Sequence, residues 1–233
     1  TTTTAVGHGT LKPTLEAGAN TAVGDFALRQ LKTSTASTYN TAVGRASQRG
    51  PNNEAQFHTG ERNTSVGAGS MKVITTGNDN TAVGYWSQYG ASITGDYNTS
   101  LGSNSLKNLD SGDKNISVGH EAGDVITSGS NNVIIGSGSD PSASSASNQT
   151  VIGYNVTGQA DNSVVLGNAD VTAIYMAQDK GATVHAAGAD LSGSTGLILE
   201  NDETITNSTD GTVLINGTVA GGTGSAAGVF TSN

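Results

Sequence analysis

The stretch "NTSVGAGSMKVITTGND", Asn63 to Asp79, carries the pattern that decides the fold. Its first five letters keep returning. "NTAVG" stands at Asn20–Gly24, Asn40–Gly44 and Asn80–Gly84, and near-copies end at Gly102 and Gly119. Aligned on the motif glycine, ten copies fall at Gly7, Gly24, Gly44, Gly67, Gly84, Gly102, Gly119, Gly136, Gly153 and Gly167. The intervals are 17, 20, 23, 17, 18, 17, 17, 17 and 14 residues, and five equal values in nine are not chance. A short fixed period is the mark of a repeat array. The two longest intervals hold "TSTAST" and "GPNNEAQFH", which read as loop insertions in otherwise standard coils.

Each position of the repeat has a physical reading. The residue before the motif glycine is always Val, Leu or Ile, and is read as a core position. The one before that is Ala or Ser in seven copies, a small residue where space is tight. Gly77, Gly95, Gly112 and Gly129 each stand three residues before the next motif Asn, and are read as turn glycines with positive φ. One unit is then a strand ending in glycine, a small-residue corner, a second short strand and a glycine turn. That is a coil of a β-solenoid, with copies stacked about 4.8 Å apart. Ten such coils predict a rod of roughly 45–50 Å. Stacking turns equivalent side chains into ladders, and Asn recurs at Asn20, Asn40, Asn63, Asn80, Asn98, Asn115 and Asn132. A buried Asn column can pass amide hydrogen bonds from coil to coil. The fold class is therefore all-β: a β-solenoid or β-roll of about ten coils of about 17 residues over 1–167. A β-rich shaft or cap over 168–233 follows it, where "TAIYMAQ", "GLILEN" and "GTVLING" read as short strands. A strand with two partly covered faces fills the coil with one and needs something else for the other. Two more copies of the chain are the economical choice, so a homotrimer is expected.

Composition agrees with a thin, regular core. Only 4% of the 233 residues are aromatic and 12% charged, while glycine reaches 33. Such a chain cannot build a thick globular core, and with three Pro and periodic aliphatics it does not read as disordered. The net charge of −9 disfavours nucleic acid, which is bound through Lys and Arg at phosphates. Cysteine is absent, which excludes disulfides and thiolate metal sites. No apolar run approaches the length of a membrane span, so no membrane insertion is expected. The opening "TTTTAVG" lies inside a repeat, so the chain reads as part of something longer.

The segment "DNSVVLGNADVTAIYMAQDKGATVHAAG", Asp161 to Gly188, adds a resemblance. "NSVVLG" resembles the repeat of trimeric autotransporter adhesin heads, which are left-handed parallel β-rolls, and the last interval of 14 is similar to their coil length. With "TGLILENDETITNSTDGTVLINGTVAGGTGSAAGVFTSN" after it, the whole looks like bacteriophage tail-fibre proteins. The resemblance implies a trimeric, non-enzymatic fibre of an extracellular virion appendage. Its implied partners are itself, other fibre or baseplate proteins, and a host cell-surface glycan. The alternative reading is the head of a bacterial trimeric surface adhesin.

Catalytic chemistry finds little to stand on. His8 and His120 share the position after the motif glycine, where other copies carry Asp, Arg, Ala, Tyr, Ser or Asn, and so mark an exposed corner. No nucleophile elbow, metal-binding His pair or phosphate loop occurs, and neither catalytic residues nor a cofactor are expected. Asp110 with Asp113, and "NDET" at Asn201–Thr204, carry the oxygen ligands that suit Ca²⁺, against the plainer reading of solvated loop acids. The cluster "GYWSQYG" is more specific. It holds the single Trp, and Tyr85, Trp86 and Tyr89, with Tyr97 nearby, offer aromatic faces of the kind that stack on sugars. The alternative is that they cover a junction between coils or chains. A third function class comes from Thr4, Thr21, Thr41, Thr64, Thr81 and Thr99, since Thr ladders on flat solenoids bind ice. The change to Ile116, Val133 and Val164 is read as that position moving into the core, which argues against it.

Overall fold

The computed structural model describes residues 3–11, 18–29, 38–51 and 58–175. Each coil contributes one three-residue strand: β1 (Thr4–Val6), β2 (Thr21–Val23), β3 (Thr41–Val43), β4 (Thr64–Val66) and β5 (Thr81–Val83). The second half supplies β6 (Thr99–Leu101), β7 (Ile116–Val118), β8 (Val133–Ile135), β9 (Thr150–Ile152) and β10 (Val164–Leu166). The ten form one parallel sheet in sequential order, each strand pairing in register with its copy in the next coil. Thr21 thus pairs with Thr41, Thr41 with Thr64, and Thr64 with Thr81. The chain is an all-β solenoid, with no helix among the described residues. The β-branched ends of T-A-V suit a pleated strand, and the repeat leaves only one register that stacks like on like.

Which strand face fills the coil is the reverse of the expectation. The middle residue is the core position: Ala22, Ala42, Ser65, Ala82, Ser100, Ser117, Ile134 and Val151 have no exposed surface. The aliphatic before the motif glycine points outward, with Val23 36%, Leu101 49% and Ile135 38% exposed. The reason is room. Across the coil, Ser87 Oγ comes within 2.7 Å of Ser100 Oγ, and Ser70 Oγ donates to Ala82 O at 3.0 Å. A larger side chain in the middle of β6 would have to displace that serine. Ile116 and Val164, 42% and 66% exposed, also stay outward, so the Thr rank becomes apolar on the same surface and does not enter the core.

The rest of the coil is turn. The expected second strand is reduced to isolated parallel bridges, Ile74 with Ile93 and Asp140 with Thr157. What shapes the corners is a run of left-handed backbone at three fixed places. Residues two and four after the motif glycine, such as Phe26 and Leu28 or Trp86 and Gln88, have φ near +50°. So does the residue before the ladder Asn or its equivalent, as in Tyr39, Arg62 and Tyr97. Few non-glycine residues adopt this region, and here hydrogen bonds between coils hold them in it. Phe26 N–H donates to His8 O at 2.9 Å and Trp86 N–H to Ala68 O at 3.1 Å.

Two glycine positions are required for different reasons. The motif glycines have φ of +126° to +145° from Gly24 to Gly153. A Cβ on Gly44 would also lie 2.6 Å from the carbonyl oxygen of Gly67. The turn glycines, by contrast, do not have positive φ. A Cβ on Gly77 would sit 2.6 Å from Gly95 O, so close approach of coils, not backbone freedom, selects glycine there. The core runs inside the coils in three clusters. Ala22, Ala27, Leu28 and Ala42 fill the first, Met71, Ile74, Ala82 and Ile93 the second. Leu106, Leu109, Ala122, Ile126, Ile134, Val151 and Val156 fill the third. Of the region expected to be a shaft or cap, only 168–175 is described, and it holds no strand. The remainder of 168–233 lies outside the described residues.

Candidate ligand-contact site

The Asn column is built as the repeat implied. Asn40, Asn63, Asn80, Asn98 and Asn115 each donate a backbone N–H to the Oδ1 of the preceding ladder Asn at 2.8–2.9 Å. Asn132 extends it at 3.1 Å, and Gln149 N–H closes it on Asn132 Oδ1 at 3.0 Å. From Asn40 to Asn115 each amide nitrogen meanwhile reaches a turn glycine, as Asn80 Nδ2 does Gly95 O and Asn98 Nδ2 does Gly112 O, both at 2.8 Å, while Asn132 Nδ2 reaches Ala146 O. All of these Asn are buried. The motif Asn is thus consumed by structure.

A second ladder went unread in the sequence because its residue type changes from coil to coil. Asn78 Oδ1 accepts from Glu61 N–H, Asp96 Oδ1 from Asn78 N–H, and Asp113 Oδ1 from Asp96 N–H, at 2.7–2.9 Å. Asp110 Oδ1 accepts from Ala91 N–H at 2.6 Å and from Ser92 N–H at 3.2 Å. Of the acids weighed as calcium ligands, Asp110 and Asp113 each have Oδ1 engaged by backbone amides. Asn201–Thr204 lies outside the described residues.

The histidines separate by environment. His8 and His120 lie on exposed corners, their side chains 84% and 57% exposed. His58 is fully buried, neither ring nitrogen has a partner, and burial pulls its pKa down to about 3. His185 is outside the described residues.

Of the four aromatics singled out, the fold gathers three. Tyr85 stacks on Trp86 with centroids 4.8 Å apart, and Trp86 meets Tyr89 at 5.1 Å. Trp86 owes its place to the preceding coil, where a Cβ on Gly69 would lie 2.6 Å from its Cδ1. Tyr97 is 57% exposed on the corner before the Asn column and makes no ring contact with the three among the described residues. Cations flank the cluster. Lys72 Nζ donates to Tyr89 Oη at 2.9 Å, and Lys107 Nζ lies 5.6 Å from the Trp86 centroid. Arg45, Ala46, Ala68, Gly69, Lys72, Tyr85 and Trp86 line a cleft of about 140 Å³. A half-open cleft with aromatic walls and cationic rims can hold a ring-shaped, hydroxylated or anionic ligand by stacking and charge-assisted hydrogen bonds.

By fold, the chain belongs to the β-solenoids with a single parallel sheet running along the array. Comparison with known proteins adds no family to that class: no family model and no curated protein matches.

Proposed function

We propose that this chain is a segment of a non-enzymatic, homotrimeric fibre on a virion, a tail fibre or comparable appendage, that spaces and presents a contact with the host. The observation that supports this most is the outward face of the sheet. Ten aliphatic side chains, from Val6 through Val66 and Leu101 to Leu166, stand in one rank along it. Seven of them are at least 36% exposed in the single chain. An apolar rank of this length on a soluble rod is a surface made to be covered. Copies of the same chain carry the same rank at the same spacing, and three of them bury it around a common axis. The continuous backbone and Asn ladders supply the stiffness of a spacer, and the aromatic corner supplies a place for a glycan.

Sedimentation velocity of the purified chain tests the assembly: a trimer is expected, and a stable monomer overturns it. Antibody against the chain, imaged by electron microscopy, tests the setting. Label on phage appendages supports the fibre; label on bacterial cell surfaces favours the adhesin head instead. The outward Thr rank from Thr4 to Thr99 keeps the ice reading testable by thermal hysteresis, and none is expected because the rank turns to Ile116 and Val133.

A further inference from the structure

One coil position gathers much of the chain's positive charge. Five of its ten Lys and Arg, Lys12, Arg29, Arg49, Lys72 and Lys107, stand five residues after a motif glycine. Tyr89 fills the same place in the one coil between Lys72 and Lys107. Lys12 lies outside the described residues; the others form a column. The rungs just before them are hydrogen-bonded in sequence: Leu28 N–H to Ser47 O, Gln48 N–H to Ser70 O, Met71 N–H to Ser87 O and Gln88 N–H to Ser105 O, at 2.8–3.1 Å. Arg29, Arg49, Lys72, Tyr89 and Lys107 therefore follow one another at the coil spacing of about 4.8 Å. In a chain of net charge −9, this is a local reversal of sign.

The column is not consumed by ion pairs. Among the described residues, the salt bridges use His8, Arg45, Arg62 and His120, and none involves Arg29, Arg49, Lys72 or Lys107. Three of these cations lie against aromatic faces instead. Arg29 Cζ is 4.8 Å from the Phe26 centroid, Lys72 Nζ 5.0 Å from that of Tyr89, and Lys107 Nζ 5.6 Å from that of Trp86. Asp124 takes over the column position in the next coil, close enough to Lys107 to feel its charge, and ends the basic run. The cleft beside Trp86 opens onto the same stretch through Lys72.

We propose that this column binds a linear acidic polysaccharide, laid along the rod axis with carboxylates on the cations and sugar faces on Trp86, Tyr85 and Phe26. This deepens the attachment reading above, on which it rests for its biological setting. The four described cations, in a chain of net charge −9, are too few to neutralise the run of phosphates from which nucleic acid draws its affinity. A sugar chain adds the burial of its apolar ring faces on the aromatics.

The test is calorimetric titration of the folded chain, its assembly state checked by sedimentation, with polygalacturonate, neutral dextran and single-stranded DNA. The expected result is binding of polygalacturonate that weakens with salt, with neither of the other two bound as tightly. Lys72→Glu with Lys107→Glu should weaken it at least about tenfold, and so should Trp86→Ala. Lys114→Glu, an exposed cation off the column, should leave it within about twofold. Circular dichroism and melting establish that each variant is folded. Equal binding of dextran, tighter binding of DNA, unchanged affinity in the folded double variant, or no binding of polygalacturonate each overturns the proposal. A monomer that still binds polygalacturonate overturns the trimer alone; a trimer that does not bind it overturns this site alone.

Discussion

Single residues in this coil are fixed by steric and solvation constraints that differ from place to place. Gly44 combines a φ of +126° with a Cβ direction blocked by Gly67 O. Gly44→Ala should therefore cost about 2 kcal/mol or more, read as a lower melting temperature. His58 is the opposite kind of residue, a titratable ring buried with no hydrogen-bond partner. Its folded pKa of about 3 lies below the ordinary 6.5 of a solvated imidazole, so the unfolded chain holds a proton that the folded chain lacks between those values. Its effect is to remove stability as pH falls from about 6.5 towards 3. Asp140, raised to about 6 by burial and the nearby Asp124, works in the other sense, losing stability as pH rises through that value. His58→Leu, which puts an apolar residue where Ile93 stands relative to its own turn glycine, isolates the histidine. The stability gained by the variant over the parent should grow from pH 7 to pH 4 in chemical denaturation; a constant difference would contradict the burial argument.

At the scale of the element, the strand is too short to hold itself, and the ladder beside it does part of that work. Asn80 Oδ1 accepts from Asn98 N–H, and Asn80 Nδ2 donates to Gly95 O, all buried. Asn80→Ala leaves both partners unsatisfied and should cost about 2–3 kcal/mol, measurable by denaturant melting. Core volume also changes along the array. Coils from Leu106 to Val156 carry Leu, Ile and Val inside, whereas those around Ala22 and Ala42 carry mostly alanine. Since each coil depends on its neighbours, hydrogen exchange should be slowest over 106–156 and faster over 18–29 and 38–50. Equal protection along the rod would mean that hydrogen bonding, not packing, sets local stability. The period, the Asn column and the in-register sheet were all legible in the sequence, because each rests on identical letters recurring. The second ladder through Asn78, Asp96 and Asp113 was not, because geometry, not residue identity, is what repeats there.

For the whole molecule, the consequence that matters is the outward apolar rank. Val66→Glu with Leu101→Glu places charges on the exposed side of β4 and β6, where the single coil has room for them. The double variant should keep its β-rich circular dichroism and sediment as a monomer. A trimer that survives both charges would place the interface on another surface. The aromatic site was half legible: Tyr85, Trp86 and Tyr89 are close in sequence and meet in space, while Tyr97, further along the same coil, sits at a different corner. The cations facing them come from other coils, so only stacking brings Lys72 and Lys107 to those rings.

The sequence by itself determined the coil length, the Asn ladder and the parallel stacking, since a repeat of this kind has few other ways to satisfy its backbone. It could not determine which side of a three-residue strand looks inward. Alternation marks two faces without saying which is which, and hydrophobicity pointed to the wrong one. Only the tertiary structure decided that, through the small width of the coil: serines such as Ser87 and Ser70 cross it so closely that alanine or serine fits inside much of the array, and valine, leucine and isoleucine are left to face outward.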